Sequence, residues 1–184
     1  PGEFSGSDAV ILTAAQILWV NFASDGPPAI ALTKDPKVEG IMERPPRGAD
    51  EPVLDRKIIA LIALSGPLAA LTSLPIFFLN IDNFMMAQTM LFMALAFFEM
   101  LMFYIIRQDY ELSFLKNKYL IGTMAASMIS HLAIVYTPIS NLFGITELSL
   151  QNWGIIAASL AVFVLLESGI RRLLSRRYGK RVYH

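Results

Sequence analysis

Cysteine is absent from the 184-residue chain, and histidine occurs only twice. The lack of cysteine excludes disulfides, thiolate metal ligands and nucleophilic thiols, and it leaves the redox compartment undetermined. The 15 basic and 15 acidic residues cancel, so the chain has no excess positive charge for a nucleic-acid surface. We therefore expect no nucleic acid among its partners, whereas the basic carboxyl terminus is suited to contact anionic lipid headgroups.

Charged residues are scarce in five long apolar stretches, which we predict to be membrane-spanning helices at residues 10–32, 58–80, 84–106, 119–137 and 152–170. A helix needs about 20 apolar residues to cross the hydrocarbon core, and each stretch is about that long. The expected fold is an all-α polytopic membrane bundle of five helices. A soluble bundle of unusually apolar helices is the alternative, but 55% hydrophobic residues and a mean hydropathy of +0.53 disfavour it.

The basic residues predict the orientation of the bundle in the membrane. All 15 fall in three segments, at residues 34–57, 107–118 and 171–181. Basic loops face the cytoplasm, so the carboxyl terminus should be cytoplasmic and, with five spans, the amino terminus outside or lumenal. Residues 33–57 then form the longest cytoplasmic loop, and its four prolines predict an irregular segment with little helix.

Polar residues interrupt the first predicted span. Asn21, Ser24 and Asp25 lie at i, i+3 and i+4, so a regular helix would place all three on one face. The sequence Asp25-Gly26-Pro27-Pro28 follows, and because proline lacks an N–H and clashes with the preceding turn, we predict that the helix breaks or unwinds there. A buried carboxylate with unwound carbonyls indicates a binding site for a hard cation such as Ca²⁺. The alternative is a proline kink in which Asp25 only caps the second half-helix.

A second acidic residue, Glu99, lies deep in the third predicted span, which contains no basic residue to neutralise it. Acidic groups at such depth are costly, so Glu99 should share an ion with Asp25 or serve as a protonated hydrogen-bonding group between helices. Two acidic residues on separate helices suit a divalent cation.

Several runs of residues resemble one family. The run from Gln16 to Ala29, QILWVNFASDGPPA, strongly resembles the sixth transmembrane helix of P-type cation-transporting ATPases of the calcium-pump, sarco/endoplasmic reticulum type subfamily. IMERPPR at residues 41–47 looks like the cytoplasmic loop that follows it. Further matches to the eighth, ninth and tenth helices are, in order, Phe98-Glu99-Met100, Ser127-Met128-Ile129-Ser130-His131 and Gln151-Asn152-Trp153. The resemblance covers almost the whole chain in the correct order.

This resemblance implies that residues 8–184 form the carboxyl-terminal membrane domain of a calcium pump and that the Ca²⁺ ligands are Asn21, Ser24, Asp25 and Glu99. It implies ATP and Mg²⁺ for the parent protein only. The phosphorylated Asp-Lys-Thr-Gly motif is missing here, so we expect that the chain alone does not hydrolyse ATP. The implied partners are the amino-terminal helices and cytoplasmic domains of the same protein, together with membrane lipid. Residues 1–7 are compatible with a cloning remnant.

Departures from the family pattern remove no ligand. Ser24 stands where threonine is common, and Pro27 replaces a frequent leucine. Glu99 favours a pump with two ion sites, because subfamilies that carry one calcium ion usually lack this acidic residue.

Other interpretations stay open at this stage. A pump of the same architecture could carry Mn²⁺, Na⁺ or H⁺, or the chain could be a stand-alone scaffold or channel-like module. Methionines crowd the third span, but they serve as flexible apolar filler more often than as Cu(I) ligands. His131 is expected to be a packing residue rather than a proton relay, and Glu167 is expected to pair with Arg171 at i+4.

Overall fold

The computed structural model describes residues 10–37, 41–43, 56–109 and 114–178, and every regular element within these ranges is helical. Four helices are long and apolar enough to cross a membrane: Arg56–Leu79, Phe84–Arg107, Lys118–Tyr136 and Leu150–Tyr178. The all-α polytopic architecture is therefore confirmed. The first predicted span is helical as well, but it consists of three short consecutive pieces.

The first segment is built from α1 (Ala14–Val20), a π-helix (Asn21–Asp25) and α2 (Gly26–Leu32). The predicted break after Asp25 is wrong in form, because the chain widens into a π-helix and continues as α2 without unwinding. The N–H of Gly26 donates to the carbonyl of Asn21, five residues back. Pro27 and Pro28 then occupy the first turn of α2, where a missing N–H is tolerated. The wider turn thus accommodates two prolines that a regular helix interior would exclude.

The remaining helices follow in an up-and-down order. Helix α3 (Arg56–Leu79) and helix α4 (Phe84–Asp109) are joined by a short turn, which makes them antiparallel neighbours. Helix α5 (Lys118–Tyr136) begins at Asn117, whose side chain accepts a hydrogen bond from the N–H of Leu120. Helix α6 (Ser140–Phe143) lies in a segment predicted as loop, and helix α7 (Leu150–Tyr178) continues past the predicted end at residue 170.

The predicted cytoplasmic loop, residues 33–57, lies mostly outside the described residues. Within it, Ile41–Glu43 forms a single turn of 3₁₀ helix. Residues 1–7 also lie outside the described part of the chain.

Helix α4 lies at the centre of the bundle. In its most apolar stretch 56% of the residues are buried, compared with 11% for α3 and 17% for α7. Its side chains pack with those of α5 and α7 in one core cluster. Phe98 of α4 meets Phe163 of α7 edge to face, with ring centroids 4.7 Å apart. Met90 and Met93 are fully buried in this core, where they pack with its other apolar side chains.

Candidate cation site

Three of the four predicted ligands meet where the π-helix faces α4. The π-helix contacts α4, and both the Ser24 hydroxyl and the Asp25 carboxyl group lie near enough to the Glu99 carboxyl group to act on it electrostatically. Ser24 is fully buried. The Oε2 atom of Glu99 is buried as well and has no hydrogen-bond partner among the described residues. Two helical segments therefore bring a hydroxyl and two carboxyl groups together.

The π-helix changes which side chains share a face. We predicted that Asn21, Ser24 and Asp25 project together, but Ser24 is buried whereas Asn21 and Asp25 are exposed on the side of the bundle. A π turn closes on the fifth residue rather than the fourth, so a residue at i+3 no longer returns to the face of residue i. Ser24 consequently points into the bundle towards Glu99, while Asn21 and Asp25 share the open side.

The ligand set suits a hard cation but is incomplete. Carboxylate, amide and hydroxyl oxygens are the donors that Ca²⁺ prefers, and it takes about six to eight of them. The described residues contain no group of three or more His, Cys, Asp or Glu side chains that could hold a metal ion. A Ca²⁺ ion bound by Asn21, Ser24, Asp25 and Glu99 would need further oxygen ligands beyond these four side chains.

The family described as "Cation transporting ATPase, C-terminus" matches residues 9–174 of the chain. The chain belongs to this family.

Three similar proteins are each named as a calcium-transporting ATPase. The calcium-transporting ATPase type 2C member 2 of Rattus norvegicus is 30% identical over 85% of the chain, and the calcium-transporting ATPase of Bacillus subtilis is 29% identical over 90%. The calcium-transporting ATPase 1 of Schizosaccharomyces pombe is 28% identical over 91%. The chain spans 18 to 20% of the length of these relatives.

The domain holds the carboxyl-terminal end of its first segment in a largely buried polar cluster that the sequence analysis missed. We call Asp35, Arg107 and Asn117 the polar clamp. Asp35 forms an ion pair with Arg107 at the end of α4 and accepts a hydrogen bond from the amide of Asn117. The same amide donates to the carbonyl of Ala31 in α2 over 2.9 Å. The clamp therefore joins α2, α4 and α5, and it includes the residue that caps α5.

A second missed contact involves Ser24 itself. The Nε2 atom of His131, on α5, lies 3.5 Å from the Ser24 hydroxyl oxygen. The two residues are separated by 107 positions in sequence, so helical periodicity could not bring them together. His131 is fully buried, as a packing histidine would be, but it also faces a predicted ligand.

Glu167 and Arg171 form the predicted i+4 pair, with 2.8 Å between Arg171 Nε and Glu167 Oε1. Glu167 is fully buried and also accepts a hydrogen bond from the Ser65 hydroxyl of α3 over 2.8 Å. This pair therefore joins α7 to α3 rather than forming a surface contact.

Proposed function

We propose that this chain is the carboxyl-terminal membrane domain of a P-type ATPase that transports Ca²⁺, and that Asn21, Ser24, Asp25 and Glu99 are ligands of the ion inside the bilayer. The observation that carries the proposal is that Ser24 and Asp25 of the π-helix lie beside Glu99 of α4, within helical segments that are mostly apolar. Membrane proteins retain acidic groups at such depth where these groups pair, protonate or bind an ion.

The domain works in the parent protein rather than alone. ATP and Mg²⁺ act on the parent's cytoplasmic domains, and the amino-terminal helices supply the oxygen ligands that the open side of Asn21 and Asp25 requires. Phosphorylation moves those helices against the π-helix and changes the access to the ion. The amino terminus of the chain lies outside or in the lumen, and the carboxyl terminus lies in the cytoplasm, in accordance with the three basic segments.

We further propose that the parent protein is a pump of the sarco/endoplasmic reticulum type with two ion sites. Its support is Glu99, which provides a second carboxyl group on a separate helix, and the resemblance of the first segment to that subfamily. Relatives named as calcium-transporting ATPases favour Ca²⁺ over Mn²⁺, Na⁺ or H⁺ as the transported ion.

The test is Asp25→Asn in the full-length protein. The substitution removes one negative charge from the site, and we expect calcium-dependent phosphorylation from ATP to be abolished. Asp82→Asn, the same change in an exposed turn, is the matched control and should leave phosphorylation intact. If the Asp25→Asn protein forms a normal level of phosphoenzyme at the same calcium concentration, the proposal is contradicted. If Mn²⁺ but not Ca²⁺ activates the full-length protein, the transported ion is a different one.

A further inference from the structure

His131 lies behind the cation site in a fixed position. Its ring packs on the ring of Phe92, with centroids 5.6 Å apart, and meets the indole of Trp19 edge to face at 6.5 Å. The side chain is fully buried. Aromatic contacts on two sides leave the imidazole few orientations, so its two nitrogen atoms point at defined partners.

The contacts of His131 determine which nitrogen atom carries the proton. Nδ1 lies 2.8 Å from the carbonyl oxygen of Ser127, one turn earlier in α5. A carbonyl oxygen can only accept, so Nδ1 must carry the hydrogen. In a neutral imidazole the other nitrogen atom is then an acceptor. Nε2 therefore presents a lone pair to the Ser24 hydroxyl group 3.5 Å away.

The Ser24 hydroxyl has two neighbours with which it can share its proton, the Glu99 carboxyl group and Nε2 of His131. A cation bound by Ser24 and Glu99 repels the hydroxyl hydrogen and requires the oxygen lone pairs to face it. His131 then offers the only one of these two acceptors that lies away from the ion.

We propose that His131 is a positioning residue for the cation site: it accepts the Ser24 hydroxyl proton through Nε2 and so turns the oxygen lone pairs of Ser24 towards the ion. The inference rests on the proposed function, because it requires Ser24 to be a ligand. It adds a residue of α5 to a site otherwise formed by the π-helix and α4. It predicts that the contribution of His131 to calcium binding depends on the Ser24 hydroxyl group.

The first experiment compares His131→Leu and His131→Gln in the full-length protein. Leucine removes the acceptor, whereas glutamine retains an oxygen that can accept from Ser24. The calcium concentration for half-maximal phosphorylation from ATP should rise about fivefold for His131→Leu, the value of one ordinary buried hydrogen bond. His131→Gln should recover most of this loss, and the maximal phosphoenzyme should be unchanged in both. Equal losses in the two variants overturn the proposal.

The second experiment combines His131→Leu with Ser24→Ala. If His131 acts through the hydroxyl group, the double variant should require no more calcium than Ser24→Ala alone. Additive losses in the double variant overturn the proposal, since they indicate a packing role. Ser130→Ala is the matched control, because the Ser130 hydroxyl donates to the same Ser127 carbonyl, whereas the side-chain hydrogen bond of Ser24 is with His131.

The two proposals fail in different ways. An Asp25→Asn protein that retains normal calcium-dependent phosphorylation overturns the calcium site itself. If Asp25→Asn abolishes phosphorylation while the losses from His131→Leu and Ser24→Ala are additive, only the positioning role is overturned.

Discussion

Two polar clusters lie along the same helical segment and differ in how their groups are satisfied. In the polar clamp, Asp35 takes partners from α4 and from the residue that caps α5. At the π-helix, Asn21 and Asp25 are exposed and one oxygen atom of Glu99 has no partner in the described part of the chain. Polar residues near apolar helices thus have two distinct roles. The clamp residues have partners within the fold, whereas Asn21 and Asp25, which are proposed to bind an ion, are exposed.

The largest loss of stability should come from Asp35→Asn. Removing the carboxylate that faces the buried Arg107 disrupts an ion pair, and the loss of one partner of such a pair costs about 3 kcal/mol. Thermal unfolding of the full-length protein in detergent measures the change as a lower unfolding temperature. Asp82→Asn serves as the control, and an equal decrease in both variants would show that the clamp contributes nothing specific.

Asn117→Ala should have the next largest effect. The change removes the cap of α5 and the bond to the Ala31 carbonyl, which together should cost about 2 kcal/mol. Asn117→Ser, which can still cap α5 but cannot reach Ala31, should recover roughly half of that stability. The measurement is the unfolding temperature of each variant. If the two temperatures are identical, the whole effect comes from the lost bonds with α2 and none comes from the cap of α5.

A smaller loss is expected from Thr13→Val at the start of α1. Thr13 and Gln16 form a reciprocal capping box, and the loss of such a cap costs about 1 kcal/mol. Thr13→Ser retains the hydroxyl oxygen and should unfold at the temperature of the unmodified protein. If Thr13→Val unfolds at the temperature of the unmodified protein, the cap contributes nothing to stability.

The smallest effect on stability is expected at the π-helix, where Asp25→Asn should change the free energy of unfolding by about 0.5 kcal/mol or less. The exposed carboxylate has no ion-pair partner within the described residues, so the amide loses nothing that supports the fold. The same variant should lose calcium-dependent phosphorylation. A decrease in unfolding temperature as large as that of Asp35→Asn would remove the distinction between the two clusters.

The long helices could be predicted from the sequence because hydrocarbon depth imposes a minimum apolar length. The end of α7 could not, because a hydropathy pattern stops at Arg171 whereas a helix can continue beyond the hydrocarbon with charged side chains. The sequence showed that Asn21, Ser24 and Asp25 are polar residues in an apolar span. It did not show that they lie on different faces, because two prolines can be accommodated either by unwinding or by a wider turn.

Contacts between distant parts of the chain lay beyond sequence reasoning. Asp35 pairs with Arg107 across 72 positions, and Ser24 meets His131 across 107. Periodicity along one helix indicates which side of that helix is apolar, but it does not indicate which neighbouring helix that side will face. The residues proposed as ligands could be named from their chemistry and from the family resemblance, whereas the contact of His131 with Ser24 required the arrangement of the helices.

The π-helix also determines where this transmembrane segment accommodates a change in length. Inserting or deleting one residue in a regular α-helix rotates every following side chain by about 100° relative to the preceding ones. A π turn already contains one residue more than an α turn, so a deletion there would return the backbone to the α-helical repeat. It would erase the different facing of Ser24 and Asp25, and it would place Pro27 and Pro28 in a regular helix interior, where their rings clash with the preceding turn.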